Sequence, residues 1–136
     1  MDRLQREYWR KHNVEAKTYQ KFIGASPRKL RLVAGMVRKM EPKKALDILA
    51  ITRKDAARQL FAAVNTAVSN AKQNGMDLEK IILSKIEINE GPKMKRFRAG
   101  TRGRAKPYVK KMSHIKIVLS DQGTGDSIKE VKKETE

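Results

Sequence analysis

The sequence predicts an α+β fold from which a long β-hairpin extends, and three observations carry that reading. Residues 53–74 hold the longest run of helical periodicity, with Ala57, Leu60, Phe61, Val64, Ala67, Val68 and Ala71 on one stripe. KIILSKIEINE (80–90) and SHIKIVLS (113–120) alternate at the strand period. Between these strands lies GPKMKRFRAGTRGRAKPYVKKMSH (91–114), which has nine Lys or Arg residues and no acid. That segment is too long for an ordinary loop and has no helical stripe. An antiparallel ribbon over about 80–118, with its tip near 97–103, joins the two strands most simply. From Lys80 to Gly100 an extended ribbon reaches roughly 60 Å. Gly100 and Gly103 supply positive φ for the turn.

The remaining elements follow in order. EAKTYQKFIG (15–24) reads as a strand, with Tyr19 and Phe22 suited to a pleated surface. Ser26-Pro27 starts a helix, because serine caps free N–H groups and proline fits the first helical position. That helix runs to about Lys39. Leu30, Val33, Val37 and Met40 group on one side, and Arg28, Arg31, Arg38 and Lys39 on the other. No acid on this helix pairs with those cations, so the basic face reads as a phosphate surface set against the plainer reading of a solvated face. Gly35 marks either a close approach or tolerated slack. Pro42 opens a short helix, PKKALDILAI, with Ala45, Leu46, Ile48 and Leu49 on its apolar side. Thr52 and Asp55 predict a capping box for the third helix, and Gly75 predicts its stop.

One domain over 14–120 is expected, between a polar extension at 1–13 and a disordered tail at 121–136. Two readings of the extension stand: a frayed arm, or an arm that orders on RNA through Tyr8 and Trp9. The N-terminus lacks the apolar stretch of a secretory signal.

Charge fixes the partner class. The chain carries 32 Lys and Arg against 15 Asp and Glu, a formal net charge of +17, and a pI near 10.3. About half of the excess lies in 91–114. Burying those cations unpaired would cost many kcal/mol, so an external polyanion is required. Lys93, Lys95, Arg96, Arg98, Arg102, Arg104, Lys106, Lys110 and Lys111 are the candidate phosphate contacts. Phe97 and Tyr108 are candidate stacking surfaces. The planar arginine fork holds two phosphate oxygens or stacks on a base.

Other classes lack their residues. With no cysteine, thiolate catalysis, disulfides and cysteine-ligated zinc are excluded. The two histidines lie far apart, and neither HExxH nor a P-loop lysine follows the GTRGRA glycines. Glu87 and Glu90 fall on different strand faces and form no acid–base pair. No enzyme activity, metal or cofactor is expected. No apolar run reaches membrane-spanning length, and the strongest apolar stripe is on the least basic helix, which argues against a membrane-active role. Zinc-finger, bZIP and RNP signatures are missing, which favours shape recognition of folded RNA. A regulatory binder of free RNA or DNA is the rival.

SPRKLRLVAGMVR (26–38), NTAVSNAKQN (65–74) and GPKMKRFRAGTRGRAKPYVKKMSHI (91–115) resemble the bacterial-type large-subunit ribosomal protein L22 (uL22) family over roughly 17–120. The resemblance implies a small three-stranded antiparallel sheet packed on three helices, with the long hairpin protruding. It implies a structural role in the large subunit, 23S rRNA binding, support of subunit assembly and a hairpin lining the nascent-peptide exit tunnel. Implied partners are 23S rRNA, neighbouring proteins including ribosomal protein L4 near the tip, and the nascent chain. Neither a membrane nor a homo-oligomer is implied. Cytoplasmic ribosomes are the expected location, ahead of organellar ones. By motif match Arg28 and Lys29 join the rRNA-binding set, which also takes in Arg31 and Arg38 of the basic helix face and His114; Met94, Lys95 and Arg96 match the tunnel-proximal motif, and Phe97, Ala99 and Gly100 are counted with them at the tip. The tip departs from the family pattern: Ala99-Gly100 stands where a Pro-Arg pair is usual. Arg98 or Arg102 is then left to supply the charge, and the contact with the tunnel and the macrolide site is open at that point.

Overall fold

A computed structural model describes residues 15–121. The extension expected over 1–13 and the tail expected over 121–136 lie outside the described residues, apart from the Asp121 backbone that ends the last strand. The order is β1 (Glu15–Ile23), α1 (Pro27–Val37), α2 (Pro42–Ile51), α3 (Asp55–Gln73), β2 (Ile81–Ala99) and β3 (Ala105–Asp121). The three strands form one antiparallel sheet in the order β1-β3-β2. The longest strand pair is therefore β2 with β3, and β1 closes the far edge. No helix among the described residues is long and apolar enough to cross a membrane.

Local chemistry places the helices. The Ser26 hydroxyl accepts from the Lys29 N–H at 3.5 Å, and Pro27 occupies the first turn of α1. Leu30, Val33, Ala34 and Val37 are buried. In α3 the small residues Ala57, Ala63, Ala67 and Ala71 are fully buried beside Leu60 and Val64. Their size lets the helix axis approach the sheet. Two polar ties fix α3 against β1: Asn70 Nδ2 donates to Thr18 Oγ1 at 2.9 Å and Gln20 Nε2 to Thr66 Oγ1 at 3.3 Å. Gly75, at φ 72°, ends the helix with its N–H on the Lys72 carbonyl at 3.0 Å. The sheet contributes Ile81, Leu83, Ile86, Ile88, Ile115, Ile117 and Leu119 to the same core. Each such side chain stabilises by about 1.5–3 kcal/mol relative to exposure.

Four expectations are corrected. Thr52 caps the end of α2, not the start of α3: its Oγ1 donates to the Ile48 carbonyl at 2.7 Å and its N–H to the same oxygen at 3.1 Å. The N-cap of α3 is Lys54, without a side-chain cap. Phe61 is 37% exposed, since it lies one residue past the Leu60 position and is turned toward the rim. In β2 the buried positions change phase. Ile81 and Leu83 are buried, then Ile86 and Ile88, while Ile82 is only half-buried. The cause is a bulge: Leu83 pairs with Leu119 but Lys85 with Val118, leaving Ser84 extra. Finally, the ~60 Å span is the whole of β2, of which Ile81–Glu90 pairs with the part of β3 that lies in the sheet. The free ribbon, from Lys93 to the turn, is roughly 20–25 Å.

The ribbon begins at a sharply defined level. β2 bulges between Glu90 and Lys93, and β1 bulges between Gln20 and Ile23, both opposite Ser113 and its neighbours in β3. A Cβ on Gly91 would lie 2.9 Å from the Met112 carbonyl carbon, so only glycine allows the strands this close. The buried Ser113 hydroxyl donates to the Ala25 carbonyl at 2.6 Å and ties the level to the start of α1.

Candidate nucleic-acid interface

Beyond Ser113 no third strand among the described residues accompanies the ribbon. Its ladder runs from Lys93↔Lys111 to Ala99↔Ala105. The turn is closed by the Gly100 N–H on the Arg104 carbonyl at 2.7 Å. Of the two glycines expected at positive φ only Gly103 (φ 67°) is left-handed, joined by Arg102 (φ 58°), while Gly100 is extended at φ −112°. Nearly all of this segment is exposed.

Cross-strand partners share a face and successive pairs alternate, so the register sorts the side chains. One face holds Met94 with Lys110, Arg96 with Tyr108, and Arg98 with Lys106. The other holds Lys93 with Lys111 and Lys95 with Val109, then Phe97 with Pro107 and Ala99 with Ala105. The first face is cationic along its length. The second is cationic at the root and apolar toward the tip, where Phe97 is 74% exposed. Contacts on the cationic face agree with this sorting: the Arg98 guanidinium lies 5.5 Å from the Tyr108 ring centroid, and Arg96 Nη2 donates to Met94 Sδ at 3.4 Å. Arg96 and Arg98 are thus held splayed along one side, ready for anions.

Acids are distributed to lysines. Every ion pair among the described residues uses a lysine, as in Lys17–Glu15, Lys44–Glu41 and Lys116–Glu87. No arginine among the described residues is paired with a carboxylate of that set. Among the described residues Lys93 has only a distant partner, Glu90 at 3.9 Å. Such exposed pairs contribute little to stability, but the division leaves the bidentate donors free.

A second basic surface lies between α1 and β2. A groove of about 420 Å³ is lined by Arg31, Arg38, Lys39, Lys85, Glu87 and Asn89, among others. Arg31 Nη2 donates to the Ile88 carbonyl at 3.1 Å, which holds the side chain against the strand. After α1 the chain bridges to β2: the Lys39 N–H donates to the Leu83 carbonyl at 3.1 Å, and the Leu83 N–H to the Met40 carbonyl at 2.9 Å. This bridge, with Lys39 at φ 59°, sets Arg38 and Lys39 beside the bulged edge. Arg28 and Lys29 lie at the other end of α1, exposed in its first turn. Sequence reasoning placed Lys39 on the basic helix face but not among the site residues, and missed Lys85. Their meeting across the groove depends on the bulge and the bridge, which leave no periodic trace.

His114 has a different setting from the other candidates. Its Nδ1 accepts from the Phe22 N–H at 3.0 Å, so it supports the β1 bulge. Within the sheet, Lys85 and then Lys116 hydrogen-bond to Glu87 and hold its carboxyl below the ordinary carboxylate range. A lowered carboxyl contributes stability that is present above its unfolded pKa and lost as pH falls through the folded one. Glu87→Gln is therefore expected to lower stability near neutral pH and to converge with the parent in acid. Parallel melting curves across pH 3–7 test this, and a constant gap would exclude it. Among the described residues no cluster of acids or histidines could hold a metal.

The family model described as ribosomal protein L22p/L17e matches residues 18–120. The large ribosomal subunit protein uL22 of Thermotoga sp. (strain RQ2) is 38% identical over 124 residues, covering 90% of this chain and 78% of that protein. Its counterpart in Mycoplasma capricolum is 43% identical over 110 residues, covering 80% and 99%. That of Fusobacterium nucleatum is 42% identical over 110 residues, with the same coverage. With the matched segment taking in all three helices and most of every strand, the chain belongs to the ribosomal protein L22p/L17e family.

Proposed function

We propose that this protein is a structural constituent of the large ribosomal subunit that binds 23S rRNA along the cationic face of its ribbon and in the α1–β2 groove. The observation that carries the reading is the ribbon itself: Arg96, Arg98, Lys106 and Lys110 share one exposed face, and no carboxylate lies between Gly91 and Ser120. Membership in a family of large-subunit ribosomal proteins supports it. Each phosphate met by one of these cations releases counterions, so binding strengthens with the number of contacts and weakens with salt. Lys93, Lys95 and Lys111 extend the contact at the root, and Arg102 and Arg104 extend it around the turn. Arg28, Lys29, Arg31 and Arg38 offer a second segment of RNA a surface on the body. Two surfaces on one rigid protein draw separate RNA segments together, which is the physical content of an assembly role.

The tip reading belongs to the same proposal. Met94, Lys95, Arg96, Phe97, Ala99 and Gly100 approach the exit tunnel, with ribosomal protein L4 and the nascent chain as neighbours, in cytoplasmic ribosomes. The apolar outer half of the second face suits a surface not committed to phosphate.

Sedimentation of tagged protein from lysate tests the reading. Retention in the large subunit through a high-salt wash is expected, since a threaded ribbon makes many contacts. Release to the free pool at moderate salt would favour a regulatory binder of free RNA.

A further inference from the structure

Three rings meet at the root of the ribbon, on the side of the sheet away from the helices. Tyr19 and Phe22 of β1 both lie against the His114 imidazole, with ring centroids at 6.2 and 5.2 Å, Phe22 edge-on at 87°. Neither belongs to the core: Tyr19 is 50% and Phe22 60% exposed. Phe22 also sits at φ 57°, a region that residues with side chains occupy only under strain. A bulge at such a position suits glycine. Here it carries phenylalanine, pinned by the hydrogen bond from its N–H to His114 Nδ1. Folding alone does not account for a large ring held exposed on strained backbone, and such outliers gather at binding sites.

The surroundings are cationic. Lys21 Nζ lies 5.4 Å from the Tyr19 centroid and has no carboxylate partner among the described residues. Lys17, Tyr19, Glu87, Asn89 and Lys116 line an adjoining groove of about 410 Å³, in which Lys17 is paired with Glu15 and Lys116 with Glu87, so Lys21 is the ammonium at the shelf that remains available to an anion. A ring shelf with a neighbouring ammonium group matches a nucleotide, which offers a flat base and an anion together.

The geometry points to a second RNA contact at this shelf: an unpaired base stacks on Phe22 against Tyr19 and His114, and its phosphate meets Lys21. This rests on the RNA-binding reading above and adds a contact of different chemistry, in which the ring, not charge, supplies the affinity.

The test uses the full chain and a short mixed-sequence single-stranded RNA carrying 4-thiouridine, with affinity measured across a salt series. Phe22→Gly relieves the backbone and removes the ring. Roughly tenfold weaker binding is expected, with an unchanged salt slope and no fall in Tm. Phe22→Trp is expected to bind as the parent does, and photocrosslinks are expected at Tyr19 or Phe22. Equal affinity of Phe22→Gly and the parent would overturn the inference while leaving ribbon binding intact. So would weaker binding by both variants together with a lower Tm, which would make the ring a fold element. Unchanged RNA affinity with impaired entry into subunits would assign the shelf to a protein neighbour and overturn it too. A parent chain without affinity for this single-stranded RNA would overturn the inference, while the proposed function, which concerns folded 23S rRNA and is tested by sedimentation with the subunit, would stand.

Discussion

Replacing Arg96 and Arg98 together by glutamate is expected to weaken rRNA binding by roughly 100-fold at moderate salt and to lower the slope of log K against log salt by about two. Both side chains lie on the ribbon's cationic face, neither has a carboxylate partner among the described residues, and their guanidinium groups are splayed by Met94 and Tyr108. Titration of the full chain against 23S rRNA across a salt series measures both quantities. Phe97→Ala, on the opposite face, is the internal comparison and is expected to leave the slope unchanged. An unaltered slope in the arginine pair would remove those residues from the phosphate contacts. Replacement of both by lysine is expected to keep much of the slope but lose affinity, since an ammonium cannot reproduce the planar fork.

Gly91→Ala is expected to destabilise the fold by about 2 kcal/mol, lowering Tm by roughly 6–10 °C. The added methyl would stand 2.9 Å from the Met112 carbonyl carbon and 3.0 Å from its oxygen. Both are backbone atoms of a paired strand, so relief requires β2 to move away from β3 where the ribbon starts. Gly35→Ala provides the contrast. An added Cβ there meets nothing within 4 Å, and alanine is the better helix former by about 1 kcal/mol. Thermal unfolding of both variants decides the matter: equal shifts would mean that the close approach at Gly91 is not limiting. The contrast also bears on the Gly35 question, because among the described residues no atom outside its own helix backbone comes within 4 Å of the position of an added Cβ.

What the sequence revealed and what it hid divide along a physical line. α3 was legible because a long helix repeats its buried positions locally, and Leu60, Val64, Ala67 and Ala71 obey that repeat. The ribbon was legible because no fold buries so many unpaired cations, and two alternating segments bracket them. The family motifs then supplied the three-stranded sheet. Hidden were features set by cross-strand register: the extra residue at Ser84, the strained Phe22 and the pairing of Lys39 with Leu83. Thr52 shows the same limit at short range. A threonine between two helices suits either end, and only the Ile48 carbonyl decides which helix it caps. The site shows it most plainly. Every ribbon cation was visible as a charge, but the separation of Arg96 and Arg98 from Phe97 and Val109 onto opposite faces follows from pairing, not from composition.

The alternation along the ribbon has a consequence for its evolution. Between the Lys93↔Lys111 rung and the Ala99↔Ala105 rung, the side that a residue presents depends only on whether it lies an even or odd number of rungs from the root. Relatives that lengthen or shorten this ribbon by two residues in each strand keep the cationic side where it was and move the turn by roughly 7 Å. A change of one residue in each strand turns the distal part over and presents Phe97 where Arg96 had been. Length variation in this segment is therefore expected to come in steps of four residues, whatever the side chains do.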